Sequence, residues 1–396
     1  MEKNQKKLDL RRLTADPKNK RTALRIAIVL LAVVLVLLFV IMAVRGKKNP
    51  PVDTESGTAA AASAQQTQGR SRSGFPISFS GGSILDVKAG DRGLYVLTMD
   101  TLFYVSTSGA YRSLVTHSFV QPVLKTGGKF ALLFDRLTGQ YQLCDERKLL
   151  SSGQSENRQQ LTTGAVTEKG KFLLAAKGGN YASLLTFYDK SGKILFSWEC
   201  AKEYIVSVAV AENRKDLLCA AVSASRGEMV TKLYQLNIEK TETVWETRLV
   251  SVAVTECGFL GGNDIYAVCG DRRLVLNTRK DAETQQELYP AAALFCNSDG
   301  KGNTAVVNQK LGTFDIYEIS VYDKSNKPVL QAETEEHPLS VVCRGKNAFL
   351  LTDTGVFRVK RNGKLRELSK LSETERGLVM VGGDAFHYNK NALFKN

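Results

Sequence analysis

From residue 77 onward the sequence repeats in units of about 42 residues. Each unit opens on a short run of small apolar residues, which we anchor at Val87, Val123, Val166, Val208, Val252, Leu294, Val341 and Val379. The distances between successive anchors range from 36 to 47 residues, and no helical period of 3.6 is present. A repeat of this length built from short β-rich runs is typical of the four-stranded blades of a β-propeller.

Each unit holds further strand-like runs. A second apolar run follows the first, as at residues 94–97, and a third often carries an aromatic residue, as at residues 102–105. A tight turn then leads to a fourth run, as at residues 189–193, 323–327 and 360–364. Gly or Asn is expected in these turns because one position needs a positive φ, which a Cβ makes unfavourable. The pattern therefore predicts four antiparallel strands in each unit.

The eighth unit is short, with three runs at residues 378–381, 385–388 and 392–394. Residues 75–79 can supply its fourth strand, and that pairing would close the ring and remove its exposed edges. The sequence therefore predicts an all-β protein with a propeller of eight four-stranded blades. Seven blades are the alternative, if the weak unit at residues 252–290 or the last half-unit is misassigned.

Residues 26–44 are nineteen consecutive residues without a charged or strongly polar side chain. As a helix this run is about 28 Å long, close to the hydrocarbon thickness of a bilayer, so it predicts one transmembrane helix that precedes the propeller. A cleaved signal peptide is the alternative. The run is longer than a signal core, however, and the small residues at 62–64 that resemble a cleavage site lie far beyond it.

Nine Lys or Arg residues precede the apolar run and three follow it, which places the N-terminus in the cytoplasm by the positive-inside rule. We therefore expect a basic cytoplasmic tail at 1–25, the span at 26–44, a flexible Ala-, Ser- and Gln-rich linker at 45–74, and an extracytoplasmic propeller domain at 75–396. Such a protein resides in the cell membrane as a single-pass protein. Its basic tail is suited to contact anionic lipid.

The basic character is concentrated at the N-terminus. Residues 1–48 carry +9 of the formal net charge of +14, which leaves +5 for the other 348 residues. The sequence shows no basic stripe in the folded part, so nucleic acid is not an expected partner.

The residues able to perform chemistry are few and scattered. The seven cysteines have no C-x-x-C spacing, which argues against zinc-knuckle and thioredoxin-type sites. Four of them, Cys219, Cys269, Cys296 and Cys343, lie in apolar runs and are expected to be free and buried, although a disulfide elsewhere stays open. The three histidines, His117, His337 and His387, are expected in surface or turn positions.

No known site motif fits. Residues 297–303 resemble a calcium loop but lack its closing Glu, so they are interpreted as a turn between first and second strands. No nucleophile elbow is present. The sequence therefore predicts no catalytic, cofactor-binding or metal-binding residue. It leaves open a pair of carboxylates from distant blades that meet at the channel mouth.

The repeat resembles the quinoprotein and WD-type propellers, although it lacks their Trp-Asp and Gly-His signatures. With its basic tail, span and linker, the chain resembles an uncharacterised family of single-pass membrane proteins of clostridial Gram-positive bacteria. That family has no assigned activity, so the resemblance implies an architecture and no site residues.

We expect a non-enzymatic, membrane-tethered binding or scaffolding module for a protein or cell-envelope polymer. An exported enzyme, such as a hydrolase, lyase or quinone-dependent dehydrogenase, is the alternative. An apolar patch over one rim would favour the binding module, and three or more converging Asp, Glu or Arg side chains in an axial pocket would favour the enzyme.

Overall fold

A computed structural model describes residues 74–211, 215–240, 242–279, 285–371 and 375–396. The predicted tail and span, and the linker up to residue 73, lie outside these residues. Within the described ranges, no helix has the length and apolarity needed to cross a membrane.

The described chain forms eight separate antiparallel sheets of four strands, which are the eight predicted blades. One 3-10 helix, Glu156–Arg158, lies between blades 2 and 3. A short strand, β1 (Ile77–Ser78), precedes blade 1. Blade 1 consists of β2 (Ile84–Ala89), β3 (Gly93–Thr98), β4 (Thr101–Ser106) and β5 (Tyr111–Thr116), and blade 2 consists of β6 (Pro122–Gly127), β7 (Phe130–Asp135), β8 (Gln140–Asp145) and β9 (Leu149–Gln154). Blade 3 consists of β10 (Leu161–Val166), β11 (Phe172–Lys177), β12 (Ser183–Tyr188) and β13 (Ile194–Cys200), and blade 4 consists of β14 (Tyr204–Val210), β15 (Asp216–Ser225), β16 (Glu228–Asn237) and β17 (Trp245–Val250).

The same order holds in the second half of the chain. Blades 5 to 8 consist of β18 (Val254–Gly261), β19 (Asp264–Cys269), β20 (Arg272–Asn277) and β21 (Gln285–Leu288); β22 (Ala293–Ser298), β23 (Thr304–Gln309), β24 (Tyr317–Tyr322) and β25 (Pro328–Thr334); β26 (Pro338–Arg344), β27 (Asn347–Thr352), β28 (Gly355–Val359) and β29 (Leu365–Lys370); β30 (Gly377–Val381), β31 (Asp384–Tyr388) and β32 (Ala392–Lys395).

Blade 8 takes its fourth strand from the beginning of the domain, as predicted. Strand β1 pairs antiparallel with β32, with Ile77 opposite Leu393. The ring of Phe75 lies 5.4 Å from that of Phe386, centroid to centroid. The first and last strands of the domain therefore close the ring, which confirms the eight-bladed prediction.

The predicted turn chemistry is confirmed between third and fourth strands. Gly192, Asn326 and Gly363 have φ values of 86°, 62° and 77°. In each turn the residue with positive φ donates its N–H to a carbonyl three residues earlier, as Gly192 does to Asp189 at 3.0 Å. These turns set the register of the outer strands.

Burial follows the position of a strand within its blade. Second strands such as β3 and β7 are buried along their whole length, because neighbouring blades cover both of their faces. Fourth strands such as β13 alternate between exposed and half-buried residues. This gradient explains why the second strands have nearly continuous apolar sequences.

Seven of the eight contacts between neighbouring blades hold one apolar cluster with buried side chains from both blades, as far as the described residues show. The contact between blades 5 and 6 differs. Its apolar residues form two small clusters, one around Tyr266 and Val268 and the other around Tyr289 and Tyr322. The buried side chain of Arg273 bridges the two blades at this contact.

One predicted anchor is wrong. Val252 lies in the connection before β18 rather than in the first strand of blade 5. Its side chain is buried and its carbonyl accepts a hydrogen bond from the Thr231 hydroxyl of blade 4. Val252 packs in the apolar cluster between blades 4 and 5, so its apolar side chain resembles that of a first-strand residue although it precedes β18.

Candidate functional site

The order of strands within the blades defines two faces of the ring. The first strand of each blade is innermost, so all eight first strands begin on the same side. We call this side the upper face. It is formed by the connections between blades and by the turns between second and third strands. The opposite side, the lower face, is formed by the turns between first and second and between third and fourth strands.

Exposed apolar side chains collect on the upper face. Of the fifteen large apolar side chains that are exposed within the described residues, twelve lie on the upper face or within two residues of it. Phe314 is 88% exposed and Leu311 is 72% exposed. The other ten are Leu85, Met99, Val120, Leu137, Tyr204, Val206, Met229, Leu288, Leu294 and Leu368. Apolar surface gathered on one face is typical of an interaction surface.

The two most exposed of these side chains sit on the same turn, between β23 and β24 of blade 6. The side-chain Nε2 of Gln309 donates to the carbonyls of Thr313 and Phe314 at 3.2 and 2.9 Å. The Thr313 hydroxyl donates to the Lys310 carbonyl at 2.9 Å. These bonds close the turn on itself, so Phe314 and Leu311 are held in place although neither packs against the core.

A repeated irregularity of the first strands shapes the upper end of the central channel. In six of the eight blades the pairing of first and second strands skips one residue close to the start of the first strand. The skipped residues are Leu85, Thr162, Val206, Thr255, Leu294 and Leu339. Such β-bulges re-aim side chains and are frequent beside functional sites. Three of them, Leu85, Val206 and Leu294, expose large apolar side chains here.

Charged side chains of different blades influence one another across the channel. Lys125 of β6 and Glu256 of β18 belong to blades 2 and 5, which are not neighbours, yet their charges interact. Only groups that face the axis of the ring can meet in this way. Asp86 of β2 also interacts with Lys125, and it forms an ion pair with Lys88 at 3.3 Å.

The channel environment shifts the ionisation of these groups. Burial raises the pKa of Asp86 and of Glu256, and burial together with the charge of Lys88 lowers the pKa of Lys125. Glu256 accepts a hydrogen bond from the Tyr266 hydroxyl at 2.9 Å. Asp86 and Glu256 therefore come from different blades, and each of them has a partner of its own.

A third carboxylate, Asp299, lies near Glu256 on the lower side of blade 6. Its Oδ1 accepts the N–H of Asn303 at 3.0 Å and its Oδ2 accepts the N–H of Gly345 in blade 7 at 3.1 Å. Asp299 thus links its own turn in blade 6 to the turn of blade 7 that contains Gly345. This explains the calcium-like appearance of the sequence: residues 299–303 form the turn between first and second strands, as predicted.

The cysteines and histidines are spread over several blades. All seven cysteines are free thiols; six are buried and Cys296 is exposed. The prediction that Cys296 is buried is wrong, because the first strand of blade 6 turns this position to solvent. His387 is buried in β31 and stacks on Phe394 with a centroid distance of 4.9 Å, so its predicted surface position is also wrong. Within the described ranges, no group of three His, Cys, Asp or Glu residues could hold a metal ion.

Comparison with known proteins identifies the family. A model of the family of unknown function DUF5711 matches residues 82–388. The chain belongs to this family. No match is found among curated protein sequences.

Solved structures share the fold of this DUF5711 protein. The C-terminal WD40 domain of Sif2 aligns with a TM-score of 0.59 at 9% identity, over 82% of this chain and 98% of that domain. BamB from Moraxella catarrhalis aligns with a TM-score of 0.53 at 10% identity, over 82% of this chain and 96% of BamB. AztD from Citrobacter koseri aligns with a TM-score of 0.53 at 7% identity, over 78% and 90% of the two chains. At these identities the likeness is one of fold alone.

Proposed function

We propose that this DUF5711 protein is a membrane-tethered, extracytoplasmic binding module that engages a protein partner through its upper face. The observation that carries the proposal is the collection of exposed apolar side chains on that face, with Phe314 and Leu311 foremost. Burial of such side chains contributes about 1.5–3 kcal/mol each, and exposed aromatic anchors dominate the energetics of many interfaces. A protein surface matches this apolar face better than a hydrophilic envelope polymer does.

The first described residues lie on the lower face of the ring. The outermost strand of a blade runs from the lower to the upper face, and β1 is the outermost strand of blade 8. Gly74 lies beside the lower-face turn between β4 and β5, where a Cβ on Gly109 would come within 2.8 Å of the Gly74 nitrogen. The described chain therefore enters the ring on the lower face, and the apolar side chains lie on the opposite face.

The anchor itself and a clostridial origin belong to the same proposal. They are supported by the uncharged run at residues 26–44, its basic flanks and the linker composition. A non-enzymatic role is supported by the way the channel charges are matched. Asp86 forms an ion pair with Lys88, and Glu256 accepts a hydrogen bond from the Tyr266 hydroxyl. Both carboxylates therefore have structural partners within the ring.

Site-specific photo-crosslinking in producing cells tests the proposal. A photo-reactive residue at position 314 of the full chain should capture one protein species, because Phe314 projects from the upper face. The same residue at position 194 is the matched control, since Ile194 is 57% exposed on the outer strand of blade 3. Leu311→Asp should abolish the crosslink from position 314.

Two results would contradict the proposal: no adduct from position 314, or equal capture from positions 314 and 194. An adduct with a second copy of this chain would show instead that the upper face joins two copies. Protease added to intact protoplasts tests the membrane topology separately. If the domain beyond residue 75 is extracytoplasmic, the protease should digest it.

An exported enzyme is a second candidate, favoured by one observation. Asp86, Lys125 and Glu256 converge in the channel with shifted pKa values, an arrangement that also occurs at catalytic sites. A hydrolase, lyase or dehydrogenase activity of the purified chain that disappears in Glu256→Gln, while the crosslink from position 314 persists, would establish this function.

A further inference from the structure

A basic cavity lies on blade 7, away from the upper face and from the channel. Arg358, Lys360, Arg361 and Arg366 line it together with Asn347, and its volume is about 310 Å³. The sequence predicts no basic stripe in the folded part, but the structure brings these four basic side chains together on blade 7. The charges are distributed over β28, its turn and β29, and only the folded hairpin brings them together.

The arrangement is unfavourable in the absence of an anion. Arg358 stands directly opposite Arg366 in the register of β28 and β29, and like charges in opposed positions destabilise a sheet. None of the ion pairs among the described residues involves any of the four cationic side chains. Glu367 is next to Arg366 in sequence but pairs with Phe357, so it lies on the other side of β29.

All four cationic side chains are exposed, and that of Arg358 is held in position together with the backbone of the adjacent turn. The Arg358 Nη2 donates to Oδ1 of Asn347 at 3.2 Å, and its guanidinium lies 5.9 Å from the centre of the Phe349 ring. The turn that carries Lys360 and Arg361 is closed by a hydrogen bond from Gly363 N–H to the Lys360 carbonyl at 3.0 Å. A guanidinium and a turn that are fixed before any anion arrives lower the cost of ordering on binding.

We infer that this cavity binds a phosphate group. Guanidinium groups match the geometry of phosphate oxygens in paired hydrogen bonds, which lysine reinforces as a point charge. The group could belong to a free phosphate compound or to a phospholipid headgroup. The cavity includes the lower-face turn of blade 7, on the side where Gly74 also lies. The inference does not depend on the function proposed for the upper face.

Thermal unfolding and vesicle binding of residues 68–396 test the inference. These residues form a compact unit with its own closed ring. Inorganic phosphate should raise the melting temperature above that in sodium chloride of equal ionic strength, because it binds the folded state. Arg358→Gln/Arg366→Gln should weaken phosphate binding by about tenfold or more. Without phosphate, this variant should be at least as stable as the wild type, since it relieves the like-charge pair.

A matched control removes two exposed arginines elsewhere. Arg112→Gln/Arg248→Gln lowers the net charge equally on blades 1 and 4 and should retain phosphate binding. In the second arm, vesicles with phosphatidylglycerol are compared with pure phosphatidylcholine vesicles. Binding to the anionic vesicles identifies a lipid headgroup as the source, and binding of phosphate alone identifies a free phosphate compound. Both results support a phosphate site.

Other results would overturn the inference. Equal stabilisation by chloride would show mere screening of surface charge. Equal loss of binding in both double variants would show an effect of net charge. Binding of a long polyanion such as a single-stranded oligonucleotide, without binding of phosphate or anionic vesicles, would point to a nucleic-acid surface instead.

Discussion

At the scale of single residues, Arg273 shows how a buried cation can replace an apolar contact. It lies in β20 of blade 5, fully buried. Its guanidinium donates to Asn326 Oδ1 at 2.8 Å, to the Gly302 carbonyl and to the Thr304 hydroxyl, all in blade 6. Burial lowers the pKa of Arg273, yet arginine stays protonated in proteins. The charge is therefore stabilised by neutral oxygen atoms of the neighbouring blade.

We expect Arg273→Ala to destabilise residues 68–396 by about 3–5 kcal/mol, because it leaves buried acceptors without donors and opens a cavity. Arg272→Ala is the matched control. Arg272 is half-buried and pairs with Asp271, and such a surface pair contributes about 0–1 kcal/mol. Urea unfolding followed by intrinsic fluorescence measures both changes. Equal losses in the two variants would show that the bridge from Arg273 has no special role.

The sequence contains a signal for the burial of Arg273. Two consecutive residues of a strand point to opposite faces of the sheet. Arg272 and Arg273 are adjacent in β20, the third strand of blade 5, and neighbouring blades cover this strand. At least one of the two side chains therefore has to be buried. His387 follows the same rule, because it alternates with core residues in β31. Patterns of polar residues within apolar strands thus predict buried polar contacts, but not the atoms that satisfy them.

At the scale of strands and turns, most of the fold could be predicted. Period-two apolar runs and turns with Gly or Asn depend on neighbouring residues only, so a sequence contains them directly. The residue at which a blade begins is less predictable: Val252 has the apolar character of a first strand but precedes β18. The upper face could not be predicted from the sequence, because Phe314 and Leu311 differ from core residues only in the path of their turn.

The closing strand β1 offers a test at this scale. A protein that begins at residue 81 lacks buried Ile77 and the partly buried Phe75 and Phe79, which pack against blades 8 and 1. We expect its free energy of unfolding to fall by about 3–6 kcal/mol and its exposed β32 edge to promote association. Urea unfolding and size-exclusion chromatography measure these effects. A protein that begins at residue 74 is the control and should match residues 68–396; an equally stable monomer beginning at residue 81 would disprove closure by β1.

At the scale of the whole molecule, the ring is not uniform. Seven contacts between blades are continuous apolar clusters, whereas blades 5 and 6 meet through Arg273 and two separate small clusters, within the residues that the structure describes. Apolar clusters resist opening in proportion to the area they bury. A contact built on a few hydrogen bonds loses its stabilisation once those bonds break. The contact between blades 5 and 6 is therefore the place where we expect the ring to open first.

Hydrogen exchange measured by mass spectrometry can locate this opening. Proteins open in cooperative units whose free energies range up to that of global unfolding. We expect the amides of β20 and β23, on either side of the Arg273 bridge, to exchange through an opening of lower free energy than those of β11, which packs in the apolar cluster between blades 2 and 3. Arg273→Ala should lower protection further at β20 and β23 well before β11 is affected, and Arg272→Ala should leave the pattern unchanged. Uniform protection of all eight blades would mean that the closed ring unfolds as one unit and that this contact is as strong as the apolar ones.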